Sequence, residues 1–267
     1  MRDFTLQTLH LLLSSLSEKD YSFLSFSEYL QMPGKKFIIL RHDVDARSSN
    51  SLVTARLENS MGITGTYYFR TVPGSYDEAV IREIAGMGHE IGYHYEDLAV
   101  AKGDYDLAIR LFEQNLAKLR RLVPVETICM HGSPLSKYDN RLLWEKYNYS
   151  DYGITGEPYR DTDFGKVLYI TDTGRRWDGT KFSIRDRIDD NTPDQIVGAP
   201  NPQQKIFPLH STFDIINTLL QDCLPPNIMI TLHPQRWDDR LLPWLKELLW
   251  QNIKNAGKRI IQTLPAG

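Results

Sequence analysis

Short apolar runs alternate with amphipathic segments along most of the chain, and this alternation restricts the fold more than any other feature. Continuous apolar runs are typical of strands buried on both faces. Apolar residues three or four positions apart are typical of helices that pack on such strands. The pattern predicts an α/β fold with parallel strands and helices outside them. The predicted strands are residues 37–40, 64–69, 89–94, 125–130, 227–232 and 259–264, and the predicted helices are 48–61, 77–87, 105–122 and 239–256.

Two parts of the chain depart from this alternation. Residues 1–33 read as an N-terminal helical extension, with one helix followed by a loop. Residues 150–205 are rich in Asp, Gly, Pro and Arg, which indicates loops. Because no linker and no internal repeat interrupts the chain, the simplest prediction is a single domain over residues 1–267.

Composition excludes several classes of function. The chain is 41% hydrophobic and carries a net charge of −3 without a basic stripe, so a nucleic-acid partner is not expected. No stretch reaches the ~18 apolar residues that a membrane span needs. Cys129 and Cys223 lack a metal-type spacing and indicate no disulfide framework. The first residues lack the pattern of a secretion signal, and we therefore expect a cytoplasmic location. The pattern leaves the oligomeric state open.

Four of the seven histidines follow predicted strands, which is the strongest functional signal in the sequence. Active groups of parallel α/β folds lie at the carboxyl ends of the strands. The residues found at these ends are His42, Asp43, Asp45, His94, His131 and His233.

Asp43 and Asp45 stand two residues apart after the first strand, where their side chains face the same way. Two such carboxylates repel each other unless a cation separates their roles, one as a metal ligand and the other as a base. Arg41 and Arg47 are available as counter-charges. The alternative is a solvated turn in which the aspartates cap the next helix.

The remaining candidates also have two interpretations each. His94 is either a core histidine or, with Asp45, part of a site that suits Zn, Ni, Co or Fe. His233 is either a general acid or a structural residue. The stretch DTGRRW contains Asp172, Arg175 and Trp177, and its tryptophan either forms a wall for a sugar ring or anchors the loop.

Together these motifs resemble a known family. IILRHDVD, GHEIGYH, DTGRRW and ITLHPQRW come in the order of the motifs of NodB-homology polysaccharide deacetylases, from about Phe37 to Trp237. The first two stretches look closest to the bacterial branch that is associated with surface polysaccharide synthesis. The resemblance implies a distorted seven-stranded (β/α) barrel of the glycoside hydrolase/deacetylase type. It also implies a hydrolase that removes an acetyl group from an N-acetylated sugar or polysaccharide precursor.

The resemblance also implies roles for individual residues. Asp43 matches the general base, Asp45 and His94 match ligands of a divalent metal, and His233 matches the acid. Asp172 matches the loop motif that positions the base or the acid. The metal would be Zn, with Ni, Co or Fe as alternatives, and the partner a carbohydrate. The residues assigned to substrate binding are Arg175, Trp177 and His42.

The sequence departs from the family at the third metal ligand. Leu98 stands where the family has a second metal histidine, and Tyr95 replaces the usual Ser or Thr. His131 is the best substitute ligand, ahead of Glu96 and Asp97. His131 is also a candidate for orienting Asp43, since residues 131–134 replace the family's Arg-Pro-Pro stretch. The alternatives to a deacetylase are a metal-independent hydrolase of a cyclic amide and a non-catalytic carbohydrate-binding protein of the same fold.

Overall fold

The structure of the protein is a computed structural model that describes residues 1–132, 136–177 and 209–263, with side chains as far as residue 255. Its strands are β1 (Ser22–Leu24), β2 (Phe37–Val44), β3 (Thr66–Phe69), β4 (Glu90–Tyr95), β5 (Ile128–Met130), β6 (Leu168–Thr171) and β7 (Asn227–Leu232). Its helices are α1 (Leu6–Glu18), α2 (Phe26–Gln31), α3 (Ser48–Ser60), α4 (Glu78–Gly86), α5 (Asp97–Val100), α6 (Tyr105–Arg120), α7 (Leu143–Lys146), α8 (Pro158–Asp161), α9 (Thr212–Leu220) and α10 (Leu241–Thr263).

All strand pairs in the described part of the chain are parallel, and the strands form one sheet in the order β5-β4-β3-β2-β7-β6. The seventh strand, β1, pairs with the first half of β2, while β3 pairs with its second half. The edge strands β5 and β6 do not pair with each other within the described residues, so the sheet is a curled half-barrel and not a closed one. The predicted α/β class with parallel strands is confirmed.

Strand β2 is the centre of this sheet and all eight of its residues are buried. It continues to Val44, four residues beyond the end that the apolar run 37–40 predicts. The extension is stable because its polar side chains find partners on both faces of the sheet. Arg41 pairs with Asp43 on one face, and His42 bonds Glu58 of α3 on the other. Buried charges are tolerated where they are paired in this way.

Three predicted helices are observed as α3, α4 and α6, close to their expected bounds. Glycines end two of them, as predicted. Gly62 follows α3 with φ of +69°, and Gly88 follows α4 with φ of +90°. A residue with a Cβ rarely adopts such angles, so glycine allows the chain to leave each helix and enter the next strand.

The first 33 residues contain more regular structure than one helix and a loop. Helix α1 buries Leu9, Leu12, Leu13 and Leu16 in a core cluster that also contains residues of α9. Strand β1 joins the sheet, and a capping box between Ser25 and Glu28 begins α2. Sequence patterns underestimated this segment because β1 is short, and its register depends on β2, which is distant along the chain.

Three further elements correct the sequence analysis. Strand β6 lies within the segment 150–205 that we predicted as loops, and it is stabilised by its pairing with β7. Helix α9 had no predicted counterpart. Helix α10 continues to Thr263, where a strand at 259–264 was expected, and after Pro243 it contains no proline that would end it. The remainder of the predicted loop, residues 178–205, lies outside the described residues. No described helix is both long and apolar enough to cross a bilayer.

Candidate metal and active site

The opening strand carries a buried carboxylate with a fixed counter-charge. Arg41 and Asp43 lie two residues apart on the same face of β2, as the strand period requires. The guanidinium donates from Nε to Oδ1 at 2.9 Å and from Nη2 to Oδ2 at 2.8 Å. Burial raises the pKa of Asp43, but Arg41 and then His94 outweigh it and hold that pKa at about 2. Asp43 is therefore an ionised carboxylate at neutral pH.

Asp45 follows the end of β2, and two histidines from neighbouring strands face one of its oxygens. Its Oδ1 lies 3.6 Å from Nε2 of His94 at the end of β4. The same oxygen lies 3.4 Å from Nε2 of His131, which follows β5. The ligand atoms of Asp45, His94 and His131 all lie within 4.8 Å of one another. The structure thus brings together the three residues that the sequence analysis assigned to a metal.

Hydrogen bonds set the tautomers of these two histidines. Nδ1 of His94 is 2.9 Å from the carbonyl oxygen of Cys129, which can only accept. Nδ1 of His131 is 2.9 Å from Oε2 of Glu96, and Arg70 donates to Oε1 of the same carboxylate at 2.6 Å. Both rings therefore carry a proton on Nδ1 and direct Nε2 towards Asp45. Metal-binding histidines typically have such partners for the second ring nitrogen.

These residues fit a divalent cation. Oδ1 of Asp45 is buried, and it has no hydrogen-bond partner among the described residues. Two imidazole nitrogens and a carboxylate oxygen form a donor set that suits Zn²⁺. Ligand atoms around a tetrahedral Zn²⁺ lie roughly 3.4 Å apart, close to the 3.4 Å and 3.6 Å separations from Asp45 to His131 and His94.

A second histidine–aspartate pair borders the same carboxylate. Nδ1 of His233, directly after β7, lies 2.6 Å from Oδ1 of Asp172, directly after β6. Asp172 also accepts from the backbone N–H of His233 at 3.0 Å, from Arg236 at 2.7 Å and from Trp237 at 2.8 Å. Nε2 of His233 is thereby left free, and it lies 3.9 Å from Oδ2 of Asp45. Burial raises the pKa of Asp172, but the charges of Arg236 and His233 lower it overall.

The residue at the family's third ligand position is excluded by its place in the fold. Leu98 is buried in helix α5, within the hydrophobic core between β4 and α6. Its neighbour Asp97 bonds Tyr93 and Asn115 and not the site. Glu96 lies behind His131 as its hydrogen-bond acceptor. Among the described residues, His131 is the side chain placed to complete the set.

The three residues assigned to substrate binding lie elsewhere. His42 is fully buried on the opposite face of β2, where Nε2 bonds Glu58 at 2.8 Å, so no atom of it can reach a substrate. Arg175 is buried, donates to the carbonyl of Trp244 and lies over the Phe4 ring. Trp177 is buried and donates to Thr212, which is the anchoring interpretation of DTGRRW. All three side chains are buried and contact residues of the protein interior, and this is why they are not placed to bind a substrate.

Some residues of the site were missed or given no role by the sequence analysis. Gln235 donates to Oδ2 of Asp45 at 3.3 Å, and the hydroxyl of Tyr159 accepts from Arg41 at 3.0 Å. The thiol of Cys129 lies within 4.8 Å of ligand atoms of Asp43 and His94. Gln235 follows β7 directly after His233 and Pro234, so the strand-end rule could have included it. Tyr159 comes from a short helix that no sequence pattern connects to β2.

Comparisons with known proteins give matches only among solved structures. Neither protein-family models nor curated protein sequences give a match. The catalytic domain of a peptidoglycan N-acetylglucosamine deacetylase from Eubacterium rectale is 14% identical, over 84% of this chain and 87% of that chain, with a TM-score of 0.45. A CE4 esterase from Streptococcus mutans is 13% identical, over 91% of both chains, with a TM-score of 0.44. A CE4 family pseudoenzyme from Bacillus anthracis is 11% identical, over 85% of this chain and 63% of that chain, with a TM-score of 0.43.

The structural neighbours are thus polysaccharide deacetylases and esterases of the CE4 family, with pseudoenzymes among them. At these identities the similarity is one of fold.

Proposed function

We propose that this chain is a metal-dependent hydrolase that removes an acetyl group from an N-acetylated sugar. The observation that carries the proposal is the convergence of two Nε2 atoms, from His94 and His131, on the unpartnered Oδ1 of Asp45. Beside this set lies a second carboxylate, Asp43, which Arg41 holds in place. A ligand set next to a second, ionised carboxylate is the arrangement that metal-assisted hydrolysis requires.

Asp45, His94 and His131 would hold the cation, with Zn²⁺ as the first choice and Ni²⁺, Co²⁺ or Fe²⁺ as alternatives. When bound, a divalent cation supplies polarisation of the acyl carbonyl and a lowered pKa for water. Asp43 accepts the proton of the attacking water. Nε2 of His233 donates a proton to the leaving amine as the carbon–nitrogen bond breaks. For this transfer the His233 ring is an imidazolium. Its Nδ1–H bonds Asp172, its Nε2–H is the proton that leaves, and the proton that Asp43 takes from water restores it afterwards.

Substitution of the proposed base tests this account. We expect Asp43→Asn to lower the rate of acetate release from N-acetylated oligosaccharides by roughly 10²- to 10⁴-fold, the usual loss for a general base. Zinc content by mass spectrometry should stay at the wild-type level, because Asp43 is not one of the three ligands. Asp151→Asn, at an exposed aspartate on the protein surface, is the matched control. A wild-type rate in Asp43→Asn contradicts the role of Asp43.

Chelation and ligand binding separate the other two functions. Hydrolysis of cyclic amides that survives removal of all metal favours a metal-independent hydrolase. Binding of oligosaccharides without acetate release, over a panel of N-acetyl and O-acetyl sugars, favours a non-catalytic carbohydrate-binding protein. Acetate release that disappears on chelation and returns with Zn²⁺ supports the deacetylase.

A further inference from the structure

One face of helix α10 is held against the rest of the protein by an ion pair and a hydrogen bond. Glu247 is buried and pairs with Arg47, which follows Asp45 by two residues. Nη1 of Arg175 donates to the carbonyl of Trp244 at 3.0 Å, close to the start of the helix. These contacts fix which side of α10 faces the protein, and they attach the helix beside the candidate site.

The opposite face of α10 is apolar and exposed. Residues 242, 245, 249 and 253 follow one another at spacings of three and four, so their side chains form one line along the helix. Six of the fourteen large apolar side chains that are exposed in the described part of the chain belong to this helix. We define the α10 stripe as the exposed residues Leu242, Leu245, Leu249, Trp250 and Ile253.

Such a face is unusual for a surface helix, whose solvent side is normally polar. Contiguous exposed apolar patches mark surfaces that bind a partner or a membrane. The charges around the α10 stripe decide between these occupants. Lys246 and Lys254 are exposed beside it, whereas Glu247, the only acid between residues 241 and 255, is buried.

A cavity near the start of α10 includes Lys246 among its lining residues. It has a volume of about 400 Å³, and three basic residues, Arg47, Arg240 and Lys246, line it. Asp238 also lines it and pairs with Arg240 at 2.7 Å. Lys246 forms no ion pair with any described residue, so its ammonium group is available to an anion.

We propose that α10 docks the protein onto an anionic membrane surface. The α10 stripe enters the boundary between lipid headgroups and acyl chains, while Lys246 and Lys254 contact headgroup phosphates. Trp250 fits this position because tryptophan favours the membrane interface. A second copy of the chain fits the stripe less well, since its lysines would meet a surface that carries lysines and no exposed acid. Docking through α10 keeps the candidate site close to the membrane.

Sedimentation of the full chain with lipid vesicles tests the apolar part of the proposal. We expect binding to vesicles of phosphatidylglycerol and phosphatidylcholine, and much weaker binding to phosphatidylcholine alone. The double variant Leu249→Ser, Ile253→Ser should bind at least about tenfold more weakly, because two large apolar side chains no longer enter the bilayer. The matched control is Leu220→Ser in α9, since Leu220 is 62% exposed and Leu249 is 63% exposed.

The charged part has its own variants. Lys246→Gln and Lys254→Gln should each weaken binding to phosphatidylglycerol vesicles by about fivefold at low salt, as expected for a lysine at an anionic surface. Lys35→Gln, which changes an exposed lysine far from α10 along the chain, should leave binding unchanged.

Three results would overturn the proposal. They are the absence of vesicle binding, vesicle binding that the double variant leaves unchanged, and a dimer in solution that the double variant dissociates. The last result would show that a second copy covers the α10 stripe. Circular dichroism and thermal unfolding establish that the variants are folded, which is expected because the substituted side chains are exposed.

Discussion

Among five buried or partly buried histidines, a free ring nitrogen distinguishes the three of the candidate site from the two of the protein core. Both ring nitrogens of His42 have partners, Thr66 and Glu58, and both nitrogens of His89 have partners as well. His94, His131 and His233 each use only Nδ1 in this way and turn Nε2 towards Asp45. A histidine with both nitrogens bonded is structural, whereas a free Nε2 can bind a metal or transfer a proton.

At the residue scale, Glu96 should control the metal affinity of His131. Glu96→Gln keeps the shape of the side chain but removes the charge that orients the ring and strengthens Nε2 as a ligand. We expect zinc affinity to fall by roughly 10- to 100-fold, measured by competition with a chelator of known affinity. Glu113→Gln, at an exposed residue of α6, is the control. Unchanged zinc affinity in Glu96→Gln would remove His131 from the ligand set.

At the element scale, the ring of Tyr68 on β3 occupies the space that a side chain at Gly92 of β4 would need. A Cβ on Gly92 would lie 2.3 Å from the ring of Tyr68 and 3.1 Å from the carbonyl oxygen of Thr127. The Tyr68 ring is fully buried, and its hydroxyl lies 3.1 Å from Oγ1 of Thr127, so it has little room to move. The absence of a side chain at Gly92 therefore lets β4 lie against this ring, two residues before the proposed ligand His94.

We predict that Gly92→Ala destabilises the protein. Overpacking of a buried site usually costs about 1–3 kcal/mol, which urea unfolding followed by circular dichroism can measure. Gly86→Ala in α4 is a matched control, since a Cβ there meets nothing within 4 Å. Because alanine is a better helix former, the control should stabilise the protein by up to about 1 kcal/mol. Equal effects of the two substitutions would contradict the close approach of Tyr68 to Gly92.

At the scale of the whole molecule, one buried carboxyl group should make stability depend on pH. Asp97 accepts from Tyr93 at 2.8 Å and from Asn115 at 2.8 Å. Burial outweighs these hydrogen bonds and raises the pKa of Asp97 from 3.8 to about 7. The folded protein therefore holds a proton that the unfolded chain releases. The contribution of Asp97 to stability is complete below about pH 4 and is lost as pH rises to about 7.

The slope of this effect is about 1.4 kcal/mol per pH unit between these limits. Asp97→Asn removes the titrating group. The free energy of unfolding of the variant, relative to that of the wild type, should therefore increase by about 3 kcal/mol between pH 5 and pH 8. Urea titrations of both proteins at the two pH values measure the gain. Asp151→Asn should show no such gain. A constant difference between Asp97→Asn and wild type would mean that Asp97 is already ionised at pH 5.

Local patterns in the sequence account for most of the regular structure near the site. Helices α3, α4 and α6 follow from apolar spacing, because side chains that share a face of a helix are close together in the chain, and strand β7 follows from a continuous apolar run. The rule that functional groups follow parallel strands also selected His94, His131 and His233 before their separations were known. The order of strand and polar residue is a local property, and the sequence by itself was sufficient to determine it.

Only the tertiary structure decided which of these residues meet. The proximity of His131 to Asp45 depends on the order of β2, β3, β4 and β5 in the sheet, and no local pattern encodes that order. His42 was grouped with Asp43 because the apolar run placed the end of β2 at residue 40. The strand continues to Val44, so these two neighbouring side chains lie on opposite faces of the sheet. Strand β6 depends on β7, which lies far along the chain. Contacts between distant residues are set by packing, which a pattern of neighbouring residues does not contain.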